Sequence, residues 1–393
     1  MNILVIGNGF DIAHGLPTKY SDFIEFVGGL KKYKLNEKSK YSSYFDTLKK
    51  EKPLIYQEID DLVKDNRWIN YFMITYGKIK DDCARKEMLI NSEIVKRSTG
   101  KDGWIDFERE ISKVIRTLDE IRLSTSDQFK SGSQTAEMTQ WQFDILEYAI
   151  YTSLDPKLKG RHITPDSIDI WKEQLLTDLN RLTRCLEIYL CDYLPIDKCK
   201  ALCDIAELQI DKILSFNYID TYGAIYSKNS HTIDYDFIHG KADINNDIST
   251  CNLVLGIDEY LSEDAKNEDN EFIQFKKFYQ RIYKMTGCHY MDWLDDRFDK
   301  NGSVPLDLEE LNIYIYGHSL DATDGDILRR LIREYGAQTT IFYHNKKALG
   351  DQIANLVKVI GEEELIKRTD GRYATIIFKQ TSKETVELQT TNT

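Results

Sequence analysis

A five-residue run suited to a buried strand, Asn2-Ile3-Leu4-Val5-Ile6, leads without a spacer into Gly7-Asn8-Gly9-Phe10-Asp11. No other stretch constrains the fold as much. Glycines directly after a strand permit positive φ and close backbone approach, which is how α/β sheets open a ligand crevice. Further apolar, β-rich runs fall at 212–218, 235–239, 252–257, 311–317, 338–344 and 373–379. Amphipathic helical patterns alternate with several of them, at 219–227, 270–285, 324–335 and 346–360. This alternation predicts an α/β fold built on a doubly wound, mainly parallel sheet covered on both faces.

Between about 40 and 205 the pattern changes. Stretches 54–90, 139–151 and 168–192 read as amphipathic helices rich in Tyr, Trp and Leu, with no strand among them. The expected organisation is an α/β domain from 1–40 and 206–393, with 41–205 as a helical insertion. Such an insertion is expected over the carboxyl ends of the strands, where ligands bind in these sheets.

Composition removes several function classes. The formal net charge of −13 repels a polyanion, so a nucleic-acid partner is not expected. Lys31, Lys32, Lys34, Lys38 and Lys40 form the densest early basic cluster and read as a solvated helix end or loop. No apolar run approaches the ~18 residues that span a bilayer, and no charged leader precedes the first strand. Seven cysteines without CxxC spacing fit free thiols in a reducing cytosol. The expectation is a soluble cytoplasmic protein with no membrane partner. Cys199 and Cys203 lie one helical turn apart, but no paired ligand set accompanies them, so no metal is expected.

The glycine loop is not a dehydrogenase fingerprint, because the third glycine of GxGxxG would fall at Ile12. It lacks the GK[ST] of a Walker loop as well. Ligand-free turn architecture would also produce it. Two polar residues end other strand-like runs: Asn217 closes Ile213–Phe216, and His239 follows Phe237-Ile238. Polar groups at strand tips face the ligand crevice; the alternative is an Asn capping helix 219–227 and a His bonded to a loop carbonyl. His231 sits in a polar stretch and reads as surface. Gly317-His318-Ser319-Leu320-Asp321 is a glycine turn but not GxSxG, since Asp321 stands where the last glycine belongs. Asp324 and Asp326 read as helix N-terminal acids. Asp106 and Glu108 do not share a helix face, and a solvated helix start is the expected place for Glu108. Asp292, Asp295 and Asp296 leave a Mg²⁺-dependent nuclease open, although they flank Trp293 and Leu294 in an ordinary amphipathic pattern.

The first segment, GNGFDIAHGLPT, resembles the sirtuin nucleotide loop GAGxSxxxGIPxF with the same offsets from first glycine to proline. Asn8, Asp11 and Lys19 depart from that pattern. Asn217 in SFNY, His239 in IHG and the GHSL turn are similar to further sirtuin segments. With GWIDFE at 103–108, LVLGIDE at 253–259 and FKKFYQR at 275–281, the set resembles the AbiH abortive-infection family from the first residues to about 345. The resemblance implies phage defence and a Rossmann-like, sirtuin-like domain holding NAD⁺ or a related nucleotide. Gly7, Asn8, Gly9, Phe10, Asp11, Gly15, Pro17, Asp220, Gly317, His318 and Ser319 would then surround the nucleotide. Asn217 would handle water or ribose, and His239 would serve as general base in an NAD⁺ glycohydrolase. Homo-oligomer assembly and a phage or host trigger protein are the expected partners. The alternative is a sensor that binds nucleotide without turnover and recognises its partner through the helical insertion. The paired CxxC zinc module of sirtuins is missing, which argues against protein deacylation.

Overall fold

In chain order the strands are β1 (Asn2–Ile6), β2 (Ala136–Glu137), β3 (His162–Ile163), β4 (Ala201–Leu202), β5 (Lys212–Ser215), β6 (Asp234–Phe237), β7 (Leu311–Tyr316), β8 (Ala337–Tyr343), β9 (Ile376–Gln380) and β10 (Thr385–Val386). The computed structural model describes residues 1–89, 105–130, 136–150, 162–226, 233–262, 264–298, 310–372, 374–382 and 384–386. Gly103, Trp104 and His231 lie outside the described residues.

Six strands form one sheet in the order β6-β5-β1-β7-β8-β9, and every neighbouring pair is parallel. Counted within this sheet alone the order is 3-2-1-4-5-6, the Rossmann order. It reverses at β1, so the topological switch point lies between β1 and β7. The alternation of a pleated strand explains how β1 serves two cores. Ile3 and Val5 pack with Leu214, Ile313, Ile315 and Ile341 against helices Gly325–Ile332 and Lys346–Ile360. Leu4 and Ile6 turn the other way and pack with Phe10, Ile213, Tyr222, Tyr316 and Phe342. Both faces are therefore covered, as a parallel sheet requires.

The chain divides into two compact units. One comprises 1–18, 193–242 and 285–393 and holds the six-stranded sheet. The other comprises 19–192 and 243–284, so it takes in 19–40 and 243–284 besides 41–192, while 193–205 of the expected insertion falls in the sheet unit. Its helices include Tyr20–Lys34, Arg67–Leu89, Phe107–Lys130 and Pro165–Ile188. Aromatic packing closes this core; Phe72 stacks on Phe107 at 4.0 Å between ring centroids.

Polar contacts explain why 243–284 groups with the helices. Buried Arg184 pairs with Glu58 and Glu187 and donates to the carbonyls of Asp243 and Ile244. Lys277 pairs with Glu108 at 2.7 Å, and Tyr260 donates to Asp119. Glu108 is thus the partner of a buried lysine rather than a solvated helix acid, and Asp106 accepts from the Arg109 amide at the helix start. The basic cluster at 31–40 is likewise less free than its sequence suggests: Lys31, Lys34 and Lys40 pair with Asn70, Asp60 and Glu25.

Three expectations of secondary structure also need correction. The run 252–257 is not a strand; it is irregular apart from one bridge between Ile257 and Lys276, and Gln280 satisfies both the N–H and the C=O of Leu255. The pattern at 270–285 resolves into a short 3-10 turn, Ile273–Phe275, and helix Lys277–Tyr283. Among the described residues between 40 and 205 there are three two-residue strands, β2 pairing with β3 and β4 with β10.

Candidate functional site

At the switch point the two glycine turns lie on each other. The Gly9 amide donates to the Gly317 carbonyl at 2.8 Å. A Cβ on Gly7 would meet the His318 Cα at 2.8 Å, and one on Gly9 would meet the Gly317 oxygen at 2.7 Å. A Cβ on Gly317, whose φ is +69°, would sit 2.1 Å from the Phe10 nitrogen. The contact between the loops thus accounts for all three glycines. Gly15 is a different case, with φ +81° and open space around it. The Phe10 side chain lies wholly in the core, where it wedges the loop against the sheet. Asn8 is exposed and exchanges hydrogen bonds with Thr18, pinning the loop's far end beside Pro17.

Directly below the turns, the tips of β1 and β5 meet. Asp11 is 2% exposed and faces Thr221 and Asn217, both buried. Burial pushes the Asp11 carboxyl up to about 7, against the pull of Thr221 and Asn217 towards the ionised form. Near neutrality this group is poised between acid and base. The Ser215 hydroxyl accepts from the Asn217 amide and donates to its carbonyl, so the strand end is folded tightly under the Asn217 side chain. Thr221 and Asn217 lie close enough to Asp11 to act on its charge, yet Asp11 Oδ1, Thr221 Oγ1 and both polar atoms of Asn217 are buried without a well-formed hydrogen bond. Unsatisfied groups of this kind cost about 1–3 kcal/mol each unless something fills the site.

The tips of β6 and β7 bring up a second group. His239 Nε2 lies 3.6 Å from Asp324 Oδ1, and His318 Nε2 lies 3.5 Å from Asp324 Oδ2, with all three residues buried. Phe216 packs edge-on against both imidazoles, at 4.3 Å to His318 and 5.7 Å to His239. From the sequence Asp324 reads only as a helix N-terminal acid. In the structure its side chain makes no cap bond; Asp321 caps the preceding turn by accepting from the Thr323 amide. No local signal could have linked Asp324 to a histidine 85 positions away.

Other expected site residues have structural work. The Asp220 carboxylate accepts from the Gly223 amide and pairs with Lys241, so it, and not Asn217, caps helix Thr221–Tyr226. Ser319 is exposed and its carbonyl accepts from Asn355. His14 donates from Nδ1 to the Phe10 carbonyl, which leaves Nε2 to accept from Tyr226, whose oxygen accepts from the Leu202 amide. Burial lowers the His14 pKa, in keeping with a neutral ring in that chain of bonds. Asp292 and Asp295 lie on helix His289–Asp295, which buries Tyr290, Trp293 and Leu294. Among the described residues no cluster of three or more His, Cys, Asp or Glu is gathered for a metal, and no helix is long and apolar enough to cross a membrane.

A parallel sheet in Rossmann order, with buried unpartnered polar groups at its switch point, defines a Rossmann-like α/β protein with a candidate ligand site at the strand tips. The chain matches the family model described as bacteriophage abortive infection AbiH over residues 3–345, and it belongs to that family. No curated protein and no solved structure matches it.

Proposed function

We propose that the protein binds NAD⁺ or a related nucleotide at the switch point and hydrolyses the bond between nicotinamide and ribose. The observation that carries this reading is the set of buried atoms without well-formed hydrogen bonds at the tips of β1 and β5. These are Asp11 Oδ1, Asn217 Oδ1 and Nδ2 and Thr221 Oγ1; His239, whose Nε2 faces Asp324, stands at the tip of β6. They form a mixed set of donors and acceptors, suited to a ribose diol and an attacking water.

In the reaction the C1′–N bond breaks and nicotinamide leaves with the bonding pair. The ribose centre gains oxocarbenium character, which an ionised Asp11 stabilises electrostatically. Water, oriented by Asn217, adds to C1′, and His239 takes the proton that this water releases. The products are ADP-ribose and nicotinamide. In an abortive-infection protein such an activity would rise above a basal rate on infection, through homo-oligomer assembly or a phage or host trigger in the cytoplasm. Purified protein incubated with NAD⁺ is expected to release nicotinamide, followed by chromatography. Asn217→Ala and His239→Ala should each reduce the rate about 100-fold or more. Release at the wild-type rate by both variants would refute the mechanism.

A further inference from the structure

We propose that Asp324 is the positioning residue of this site: held by His318 on one carboxylate oxygen, it fixes the proton of His239 on Nε2 and leaves Nδ1 as the base. This rests on the reading of His239 as a base given under Proposed function. The Leu320 amide donates to His318 Nδ1 at 2.9 Å, so that nitrogen presents a lone pair. The neutral ring must then carry its proton on Nε2, which lies 3.5 Å from Asp324 Oδ2. With Oδ2 assigned to His318, Oδ1 is the oxygen presented to His239, at 3.6 Å from Nε2. Both separations are ion-pair lengths rather than hydrogen bonds, as catalytic contacts often are before substrate closes the site.

The surroundings hold the three groups in place. Gln352 donates to the His318 carbonyl, Phe216 packs against both rings, and Asp321 caps the turn that delivers Asp324. When His239 accepts a proton at Nδ1, the resulting imidazolium stands beside the Asp324 carboxylate. The arrangement has the logic of a carboxylate that orients a catalytic imidazole, with His318 orienting the carboxylate in turn.

The test reads tautomers. Long-range ¹⁵N–¹H correlation spectra of the labelled protein, at a pH where both rings are neutral, report which nitrogen carries each proton. His239→Gln and His318→Gln spectra assign the signals. In the wild type both rings should be Nε2–H. Asp324→Asn has one acceptor and one donor. Its oxygen is claimed by the His318 proton, so its amide must face His239 Nε2 and force the proton to Nδ1. His239 should therefore switch tautomer while His318 does not, and nicotinamide release should fall about 100-fold or more. An Nδ1–H form of His239 in the wild type would overturn the proposal without any variant. So would an unchanged Nε2–H form in Asp324→Asn. The tautomers are readable whether or not the protein cleaves NAD⁺. A wild type that releases no nicotinamide but shows the switch would fail the proposed reaction and leave the positioning role standing.

Discussion

Replacing Gly317 with alanine is expected to destabilise the sheet unit by about 4 kcal/mol, combining a left-handed backbone cost of ~1–2 kcal/mol with overpacking of ~1–3 kcal/mol. The new Cβ would lie 2.1 Å from the Phe10 nitrogen, and what it meets is backbone that cannot swing aside. Relief would require pulling the β1 turn off the β7 turn, which breaks the bond from the Gly9 amide to the Gly317 carbonyl. Gly15→Ala is the matched control. Gly15 also has positive φ, but nothing stands within 4 Å of its would-be Cβ, so only ~1–2 kcal/mol of backbone cost remains. Urea unfolding of both variants separates loop contact from backbone conformation. Equal losses would show that the close approach of the two turns carries no energetic weight.

Asp11→Asn is expected to stabilise the protein, and increasingly so as pH rises. The folded carboxyl titrates near 7, whereas its reference value is 3.8. Below about pH 4 both states are protonated and the group costs nothing. Between about pH 4 and 7 the unfolded chain has released a proton that the folded chain still holds, so stability falls with rising pH. Above 7 the loss levels off at about 4 kcal/mol, three pKa units at 1.36 kcal/mol each. The variant lacks this term. Its unfolding midpoint in urea should match the wild type at pH 4 and exceed it clearly at pH 9. A difference that does not change with pH would contradict the burial assigned to Asp11.

Much of the α/β frame was legible because its signals are local. The run at 2–7 became β1, 311–317 became β7, and the pattern at 346–360 is a helix over those same residues. Asn345 caps its start and Gly361, at φ +88°, follows its end. The misread run at 252–257 is as apolar and buried as a central strand, but Gln280 takes the backbone groups of Leu255, and Ile257 pairs with Phe275 and Lys277 instead of a neighbouring strand. Hydrophobicity reports burial and cannot say which partner completes the backbone. The candidate site shows the same limit. Asn217 and His239 could be picked out because each ends a strand. Asp11 could not be recognised as a strained carboxyl, because Asn217 and Thr221 reach it from more than 200 positions away. Asp324 looked like any acid at a helix start until the fold set it between two histidines.

The measurement that tests the nucleotide site most directly is a calorimetric titration with ADP-ribose, the proposed product, which the protein would not turn over. The wild type should bind it saturably at one site per chain, and Asn217→Ala should bind at least about tenfold more weakly, a loss of ~1.4 kcal/mol. No saturable heat from the wild type, or equal affinity in Asn217→Ala, would contradict a nucleotide site built on the tips of β1, β5 and β6.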